Sequence, residues 1–437
     1  MPRVPGLPIW QLPLIARAGA RRPQEMSQQL YDRYGPVVRL GIWPVAYTYL
    51  FGREANELIL SQRPDEFTWR EALRALESVD GPTALVLSDG ADHKRRRRLV
   101  QPAFATRRID AAVPIIVDEV DAAIDSLPVR GRADIYALYR RTVRRIVVRV
   151  LFGDGLAGQA DALGEALEPA IHFVDRPPQL QARGMPGRRA ARRARQRADA
   201  IVDAEMARRR ASGELGSDVL GVLLATELSD EERRDQVVSL IAAGYDTTSA
   251  AVAWTVLELI RTPGVWDKAR AEVDERLGER VPDAGDLRAL PYTAAVVNEA
   301  LRLWPPAVLS GRRASSSFEF KGHTIGEGSI VLFSPYVTQR MPEHWGDDAD
   351  RFRPERWLEG EPGPFTFIPF GGAYRKCIGF ALALTEVQVT VVRLLQRTEL
   401  RLADPGLPVR GTGLSASRPE GGVVVDVEQR RDLTTRQ

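Results

Sequence analysis

Apolar residues recur at helical spacing through the first two-thirds of the chain and form short alternating runs in the last third. Spacings of three and four residues predict helices, whereas alternation bounded by Gly and Pro predicts strands. The clearest predicted helices are residues 111–127, 135–151 and 219–224. The predicted strands are residues 36–40, 45–51, 318–320, 330–333 and 423–425. The pattern therefore predicts a mainly α protein with small β-sheets.

The longest helical pattern begins at Ser229, where Ser229 and Glu232 have the spacing of a capping box, and it ends before Pro263. About 32 residues at roughly 1.5 Å each would make this helix some 48 Å long. Its residues 237–260 are apolar enough to resemble a membrane span. Asp246 lies in their middle, however, and an aspartate at bilayer depth is costly. We therefore expect a central helix buried in a large core.

Composition favours one large domain over residues 1–437, because no flexible linker, low-complexity tract or internal repeat divides the chain. The 61 Lys and Arg residues exceed the 58 Asp and Glu residues by only three, so nucleic-acid binding does not follow. A single cysteine excludes internal disulfides and suits a reducing compartment. Since residues 1–22 lack a signal-peptide core or an anchor, we expect a cytoplasmic protein without a transmembrane segment.

That single cysteine, Cys377, lies in the loop 370–379, directly before the apolar stretch 381–395. A lone cysteine is usually a buried small hydrophobe. Here the following helix would place its positive N-terminus near the sulfur and favour a thiolate. The loop glycines allow close approach of a flat ligand, and Arg375 offers a guanidinium to an anionic group beside it. These neighbours indicate a thiolate used for metal chemistry.

Three other motifs are ambiguous when read alone. Residues 243–248 put Gly, Asp and two Thr inside the long helix, which indicates either a kink or a polar patch against another helix. Glu299 and Arg302 share a helix face and would ordinarily form a surface ion pair. The run 89–98 would place His93 and Arg97 on one face of a helix, which could equally be a solvated basic surface. A second arginine-rich run, 188–197, is predicted to be solvated.

Taken together and in this order, the motifs resemble those of the cytochrome P-450 family. The loop reads Phe-x-x-x-x-Arg-x-Cys-x-Gly, the central helix carries Gly-x-Asp-Thr-Thr, and Glu-x-x-Arg precedes Phe-Arg-Pro-Glu-Arg at 352–356. One departure is Ala373, where the family usually has glycine. A methyl group at positive φ would cost about 1 kcal/mol and distort the loop slightly. The likeness covers essentially the whole chain and implies haem b held between the long helix and the cysteine loop with its following helix.

The resemblance also implies roles for individual residues. Cys377 would be the axial iron ligand, and Asp246 and Thr247 would deliver protons. The haem contacts it implies are Phe370, Gly379, His93, Arg97, Arg312 and Arg375, of which the last four would bind propionates. Glu299, Arg302 and Arg356 would form a buried structural triad. The substrate pocket it implies is lined by parts of residues 69–85 and 171–185. The single residues expected to line it are Trp69, Ala242, Ala243, Val308, Leu309 and Leu414.

The implied activity is monooxygenation of a lipophilic molecule with O2, since the implied lining residues are mainly apolar. Electrons would come from a separate ferredoxin-type partner, because no flavin- or nucleotide-binding segment remains after the motifs are placed. We expect that partner to dock near Lys94, Arg95 and Lys376. A peroxygenase would not need the acid and alcohol pair, and a gas sensor has no evident use for it. A haem-thiolate isomerase or dehydratase remains an alternative at this point.

Overall fold

A computed structural model describes residues 4–6, 22–42, 45–62, 66–176 and 187–431, and helices make up most of them. The helices of the N-terminal half are α1 (Pro23–Tyr34), α2 (Arg53–Glu57), α3 (Glu77–Asp80), α4 (Gly90–Val100), α5 (Thr106–Asp125), α6 (Ile135–Ala157), α7 (Ala160–Val174) and α8 (Arg188–Ser212). Those that follow are α9 (Val219–Leu224), α10 (Asp230–Arg261), α11 (Val265–Arg276), α12 (Ala284–Arg288), α13 (Pro291–Leu303), α14 (Pro335–Thr338), α15 (Pro342–Trp345), α16 (Arg356–Glu359) and α17 (Phe380–Arg397).

The strands form small sheets beside the helices, as the sequence predicts. They are β1 (Val37–Ile42), β2 (Val45–Leu50), β3 (Phe67–Thr68), β4 (Gly131–Asp134), β5 (Ser310–Ala314), β6 (Phe318–Phe320), β7 (His323–Ile325), β8 (Ile330–Phe333), β9 (Thr398–Leu402), β10 (Gly411–Thr412), β11 (Arg418–Pro419) and β12 (Val424–Arg430). The largest sheet has the order β1-β2-β8-β5-β3, in which β2 and β8 are parallel and the other pairs antiparallel. A second sheet has the order β4-β12-β9, and β6-β7 and β10-β11 form hairpins.

The long helix α10 runs through the main core, where it packs on α6, α13 and α17. Ser229 caps it in the predicted capping box: its hydroxyl accepts from Glu232 N while the Glu232 carboxylate accepts from Ser229 N. Near its C-terminal end the fully buried Trp254 stacks on Trp304 with ring centroids 4.1 Å apart. The prediction of a buried central helix is confirmed. Within the described residues, every helix is too short or too polar to cross a bilayer.

Two element boundaries differ from the sequence prediction for physical reasons. Helix α6 continues past residue 151, but Gly153, with φ +72°, breaks its helical path. Strand β12 continues to Arg430, well beyond residue 425, because it pairs with β4 on one side and β9 on the other. Apolar alternation itself continues to Val427, and backbone pairing then extends the strand through residues 428–430, which carry none.

The arginine-rich start of α8 is solvated only in part. Arg189, Arg192, Arg193 and Arg197 are exposed, as predicted. Arg195 is buried, where it donates to Asp199 on its own helix and to Asp235 on α10. The prediction of a wholly solvated run is therefore wrong at Arg195, because a tertiary partner far away in sequence supplies the compensating charge.

Candidate functional site

The loop that carries Cys377 is closed by backbone hydrogen bonds. Cys377 N donates to the Phe370 carbonyl at 2.8 Å, and Gly371 N donates to the Ile368 carbonyl at 3.0 Å. Gly371 has φ +68°, a conformation that favours glycine. The Phe370 ring meets Phe380, the first residue of α17, edge to face at 6.2 Å. The turn and this aromatic contact set the cysteine just ahead of the N-terminus of α17.

Ala373 has φ +50° in this loop. A left-handed conformation costs a residue with a side chain about 1–2 kcal/mol, because the Cβ crowds the following carbonyl oxygen. The sequence expectation of a strained alanine is thus matched by the backbone geometry. The loop keeps its tight turn although Ala373 replaces the usual glycine, and the resulting strain stays in the loop backbone.

The Cys377 thiol is solvent-accessible on one side, although protein atoms surround it closely elsewhere. That surrounding burial raises the pKa of the thiol above its usual value. The Gly379 backbone, Arg97 and Lys376 oppose this rise but do not overcome it. These three groups therefore favour a thiolate, as expected, but they do so less strongly than burial opposes it. A thiolate at this position needs a further cation such as iron to compensate it.

Arg312 and Arg375 converge on the indole of Trp69. The guanidinium carbons lie 3.2 Å and 5.0 Å from the ring centroid, respectively. Arg312 is almost fully buried, and its Nη1 donates to Ser310 Oγ and the Gly311 carbonyl. Burial, followed by repulsion from Arg375, depresses the pKa of Arg312 well below its usual value. Two close guanidiniums in a buried place require anionic partners.

Among the described residues, the carboxylate paired with Arg375 is that of Asp89, whose Oδ1 lies 2.7 Å from Arg375 Nη2. Its oxygens also accept from Trp69 N and Arg70 N at 3.0–3.2 Å, so its charge is shared. The Arg375 Nε is buried and has no hydrogen-bond partner among the described residues. The cluster therefore has donor capacity left for additional anionic groups.

His93 and Arg97 approach the same cluster from α4. Arg97 donates to the Lys376 carbonyl at 3.0 Å, directly before the cysteine. Burial, with the charges of Arg375 and Arg97, lowers the pKa of His93 to about 4. In these surroundings His93 offers a hydrogen bond to an anionic group, while the positive charge of the cluster is carried by its arginines.

These residues fit haem. Cys377 is free and exposed, and the Arg375 guanidinium, two residues before it, has an Nε that is unpaired among the described residues, which matches an iron ligand and a propionate partner. Trp69, which the resemblance places in the substrate pocket, contacts Arg312 and Arg375. At that position it would lie beside the haem propionates. Gly379 is the N-cap residue of α17 and keeps the chain close to the sulfur.

Glu299, Arg302 and Arg356 form a fully connected buried group. Arg302 donates to both Glu299 oxygens at 2.8 Å, and Arg356 Nε donates to Glu299 Oε1 at 2.9 Å. Trp357 Nε1 donates to Glu299 Oε2, and Arg302 also reaches the carbonyls of Gln339, Ala349 and Arg351. The side chains of Glu299 and Arg302 are 0% exposed. These hydrogen bonds hold α13 against the segment that leads to the cysteine loop.

Asp246 and Thr247 lie on different faces of α10. The Thr247 hydroxyl donates to the Ala243 carbonyl at 2.7 Å on the accessible face, where Ala243 is exposed. Asp246 is buried, with Oδ1 3.5 Å from Arg140 Nε, and Oδ2 has no hydrogen-bond partner among the described residues. Burial raises the pKa of Asp246, while Arg140 and then Arg418 lower it. The acid and alcohol are sequence neighbours whose side chains point about 100° apart around the helix. Arg140 of α6 lies beside the acid.

The helix is continuous through this motif, and the Thr247 hydroxyl bonds the i−4 carbonyl of Ala243 as the sequence pattern suggests. Gly244 has a packing reason: a Cβ there would meet the Val147 methyls at 3.1 and 3.2 Å. The alternative of a polar patch against another helix is also partly correct, because Asp246 and Tyr245 face Arg140 of α6.

The other expected pocket residues occupy mixed environments. Ala242 and Val308 are buried, and Leu309 packs with the cluster around Met26, Val38 and Tyr49. Leu414 is half-buried, and its backbone N donates to Asp175 at 3.1 Å. Part of the expected range 171–185 lies outside the described residues, which resume at residue 187.

Three residues at this site escape sequence reasoning. Asp89 could have been noticed as the residue preceding α4, a usual capping position, although its side chain serves Arg375 instead. Arg140 and Arg418 carry no local signal, because Arg140 meets Asp246, and Arg418 meets Asp175, only through tertiary folding.

Comparisons with known proteins complete the description of the site. The family model Cytochrome P450 matches residues 2–421. A putative cytochrome P450 139 of Mycobacterium tuberculosis is 42% identical over 416 residues, which cover 92% of this chain and 96% of that protein. The cyclooctat-9-en-7-ol 5-monooxygenase of Streptomyces melanosporofaciens is 35% identical over 355 residues, which cover 76% of this chain and 74% of that protein.

The retinoic acid bound cyanobacterial CYP120A1 is a similar solved structure. It superimposes with a TM-score of 0.86 and covers 98% of this chain and 99% of its own, at 23% sequence identity. At that identity the likeness shows the fold alone.

Proposed function

Because the chain belongs to the cytochrome P450 family of haem-thiolate monooxygenases, we propose that it inserts one oxygen atom from O2 into a lipophilic small molecule, with electrons from a separate ferredoxin-type protein. The observation that carries the proposal is the pairing, on α10, of an accessible Thr247 hydroxyl with a neighbouring buried carboxylate, Asp246. A proton-handling pair of this kind is useful when dioxygen is the oxidant.

In this proposal Cys377 holds the haem iron, and Arg97, Arg312 and Arg375 hold the propionates with a hydrogen bond from His93. Haem, when bound, supplies the oxygen-activating redox chemistry. The Thr247 hydroxyl lies on the face of α10 on which Ala243 is exposed. Asp246 exchanges protons with that face by leaving its contact with Arg140, since one carboxylate oxygen is already unbonded.

The substrate is proposed to be a lipophilic molecule, which the apolar residues Ala242, Ala243, Val308 and Leu414 support. Terpenoids, steroids, fatty acids and polyketides all have this character. The relative that is a cyclooctat-9-en-7-ol 5-monooxygenase makes cyclooctat-9-en-7-ol a reasonable first compound for a spectral-shift binding screen.

The redox partner is proposed to dock on the cysteine side of the protein. Lys94 and Lys376 are exposed, and Lys376 Nζ lies 3.7 Å from the Phe380 ring centroid. Arg95 is also exposed but is already paired with Glu232 of α10, so it contributes less charge than the sequence suggests. A negatively charged partner such as a ferredoxin fits Lys94 and Lys376. A cytoplasmic location is proposed with it, since the single cysteine is free.

Purified haem-loaded protein tests the proposal directly. Under 18O2, with surrogate ferredoxin and reductase, we expect substrate-dependent NADPH consumption and a product heavier by one labelled oxygen. Cys377→Ser should change the carbon monoxide difference spectrum, and Thr247→Ala should lower product per NADPH while Thr247→Ser retains it. Product formed without NADPH, or without labelled oxygen, would instead identify an isomerase, a dehydratase or a peroxygenase.

A further inference from the structure

Arg140 of α6 is shared between two carboxylates. Its Nη1 donates to Glu168 Oε1 of α7 at 3.0 Å, a charge-assisted hydrogen bond of ordinary length. Its Nε lies 3.5 Å from Asp246 Oδ1 of α10, a distance too long for a good hydrogen bond. This Nε has no hydrogen-bond partner among the described residues. The guanidinium is therefore bonded to Glu168 and only close to Asp246.

The two carboxylates differ in their exposure to solvent. The side chain of Asp246 is 7% exposed, whereas that of Glu168 is 44% exposed. Asp246 Oδ2 also has no hydrogen-bond partner among the described residues. A buried carboxylate gains more from a fully bonded arginine than a half-exposed one does, because water can solvate the exposed acid. The arginine nevertheless bonds the exposed acid, and the buried acid keeps its freedom to move.

The packing of α6 on α7 places Glu168 opposite Arg140. Arg144, one turn after Arg140 on α6, pairs with Asp161 of α7 at 2.5 Å. Gly164 leaves room for this second arginine, since a Cβ there would clash with its guanidinium. The two ion pairs follow each other along antiparallel helices, because the residue number rises on α6 while it falls on α7. The position of Glu168 is thus set by the helix interface and not by a chance rotamer at the surface.

Several elements contribute charged and titratable groups to this region. Those around Asp246 are Tyr245 on α10 itself, Tyr136 and Arg140 on α6, Arg418 of β11 and Asp175 after α7. Arg418 and Asp175 are paired at 3.2 Å, and they change the pKa of Asp246 in opposite directions. Those around Glu168 are Arg140, Arg144 and His172, whose Nε2 lies 3.9 Å from Glu168 Oε1. Among the described residues, Glu168 is therefore the carboxylate that competes directly with Asp246 for Arg140.

We propose that Glu168 is a positioning residue that holds Arg140 out of hydrogen-bond contact with Asp246, so that Asp246 can turn away and exchange protons near Thr247. This inference rests on the proposed function, in which Asp246 handles protons. Without the Glu168 carboxylate, the guanidinium is free to approach Asp246 through both Nε and Nη1, the bidentate geometry that arginine favours with a carboxylate. Asp246 would then be tied to Arg140, and its movement would be slower.

The first test uses the haem-loaded protein without turnover. The pH at which the Asp246 carboxyl band appears in infrared difference spectra reports the pKa of Asp246, and loss of the band in Asp246→Asn assigns it. In Glu168→Gln a nearby anion is lost and Arg140 comes closer, so this pH should fall by roughly one unit. In Arg140→Gln the opposite charge is lost, so this pH should rise by about 1–3 units. Glu168→Asp, which keeps the charge, should lie closer to the wild type.

The second test uses turnover with surrogate ferredoxin and reductase. Glu168→Gln should lower the rate of substrate-dependent NADPH consumption several-fold and raise its solvent isotope effect, because a tied Asp246 delivers protons more slowly. Combined with Arg140→Gln, the Glu168→Gln change should add nothing to either test, since Glu168 acts through Arg140. Glu165→Gln is the matched control, because Glu165 is exposed on the same helix and forms no ion pair among the described residues. It should leave both tests unchanged.

The outcomes separate this inference from the function on which it rests. If Asp246→Asn leaves NADPH consumption and its isotope effect unchanged, the proposed role of Asp246 fails. If Asp246→Asn changes them while Glu168→Gln matches the wild type, the role of Glu168 alone is overturned. An effect of Glu168→Gln that persists in full beside Arg140→Gln also overturns it, because Glu168 would then act without Arg140. Should Glu168→Gln lose the native carbon monoxide spectrum, Glu168→Ala takes its place in both tests.

Discussion

Arg312 stacks on Trp69 with its guanidinium carbon 3.2 Å from the centroid of the indole. The contact gives the cation an aromatic surface, but it does not replace an anion. Arg375 lies 5.0 Å from the same ring centroid, so the two positive charges repel each other. This relationship supports the proposal that β5 and the cysteine loop together bind the haem propionates.

Replacing Arg312 by glutamine should weaken haem retention. A lost charge-assisted hydrogen bond in a buried site is worth about 1.5–3 kcal/mol, so haem transfer to an excess of apomyoglobin should become at least about tenfold faster. Arg313→Gln is the matched control, because neighbouring residues of a strand point to opposite faces. Equal transfer rates for the two variants would contradict the assignment of Arg312 to a propionate.

Ala373→Gly should stabilise the protein. Removing the methyl group at φ +50° relieves about 1–2 kcal/mol of strain, and the greater freedom of glycine in the unfolded chain offsets about half of that. The expected gain is about 0.5–1 kcal/mol, measured as an increase in the urea midpoint. Gly371→Ala, at φ +68°, should shift the midpoint in the opposite direction. A decrease for Ala373→Gly would mean that the methyl packs favourably.

Glu299→Gln should strongly destabilise the fold. It leaves Arg302 and Arg356 buried with less compensating charge, and breaking a buried pair costs about 3–5 kcal/mol. Denaturant unfolding with haem absorbance as the signal measures this loss. For comparison, Arg132→Gln removes an exposed ion pair with Asp426 and should cost less than about 1 kcal/mol. Similar losses for both variants would show that Glu299 is not a structural centre.

Asp80 should make stability depend on pH. Burial raises its pKa from 3.8 to about 7, although Ser239 and Arg195 act against the rise. Between these values the folded protein binds more protons than the unfolded chain, so the free energy of unfolding should fall as pH rises towards 7. Asp80→Asn should remove this contribution, while the exposed Asp404→Asn should not. Parallel stability curves for the wild type and Asp80→Asn from pH 4 to 7 would contradict the prediction.

Lys94→Glu and Lys376→Glu should each raise the KM for a ferredoxin and leave substrate-induced spectral shifts unchanged. The expected increase is several-fold and should shrink at high salt, because docking of exposed charges is screened. Arg95→Glu should have a smaller effect, since Glu232 already compensates Arg95. Arg130→Glu, an exposed charge reversal in the loop before β4, is the control. Turnover that is independent of ionic strength would refute this docking surface.

Local patterns were sufficient to predict several parts of the molecule. The boundaries of α10 follow from Ser229 and Glu232 at one end and Pro263 at the other, because capping and helix breaking depend on neighbouring residues. The positive φ of Ala373 was expected from the family resemblance, because the family usually has glycine at this position. The link between Glu299, Arg302 and Arg356 needed the family resemblance, since a Glu-x-x-Arg spacing alone indicates only a surface pair.

Local sequence patterns could not predict contacts between segments that are distant in sequence. Arg195 looked solvated because its partner Asp235 lies 40 residues away. Arg418 meets Asp175 across 243 residues, and neither has a neighbour in sequence that indicates the contact. The lowered pKa of His93 also lies beyond local patterns, since it results from burial and from arginines gathered around it by folding.

Asp89 has a consequence for how the protein matures. Its carboxylate already joins the backbone at Trp69 and Arg70 to the cysteine loop through Arg375, and these bonds involve only the polypeptide. Because these bonds do not require the pigment, we expect them to restrain the two segments in the pigment-free polypeptide as well. Cells starved of the pigment should accumulate a protease-resistant apoprotein that becomes coloured when the pigment is restored, without new protein synthesis.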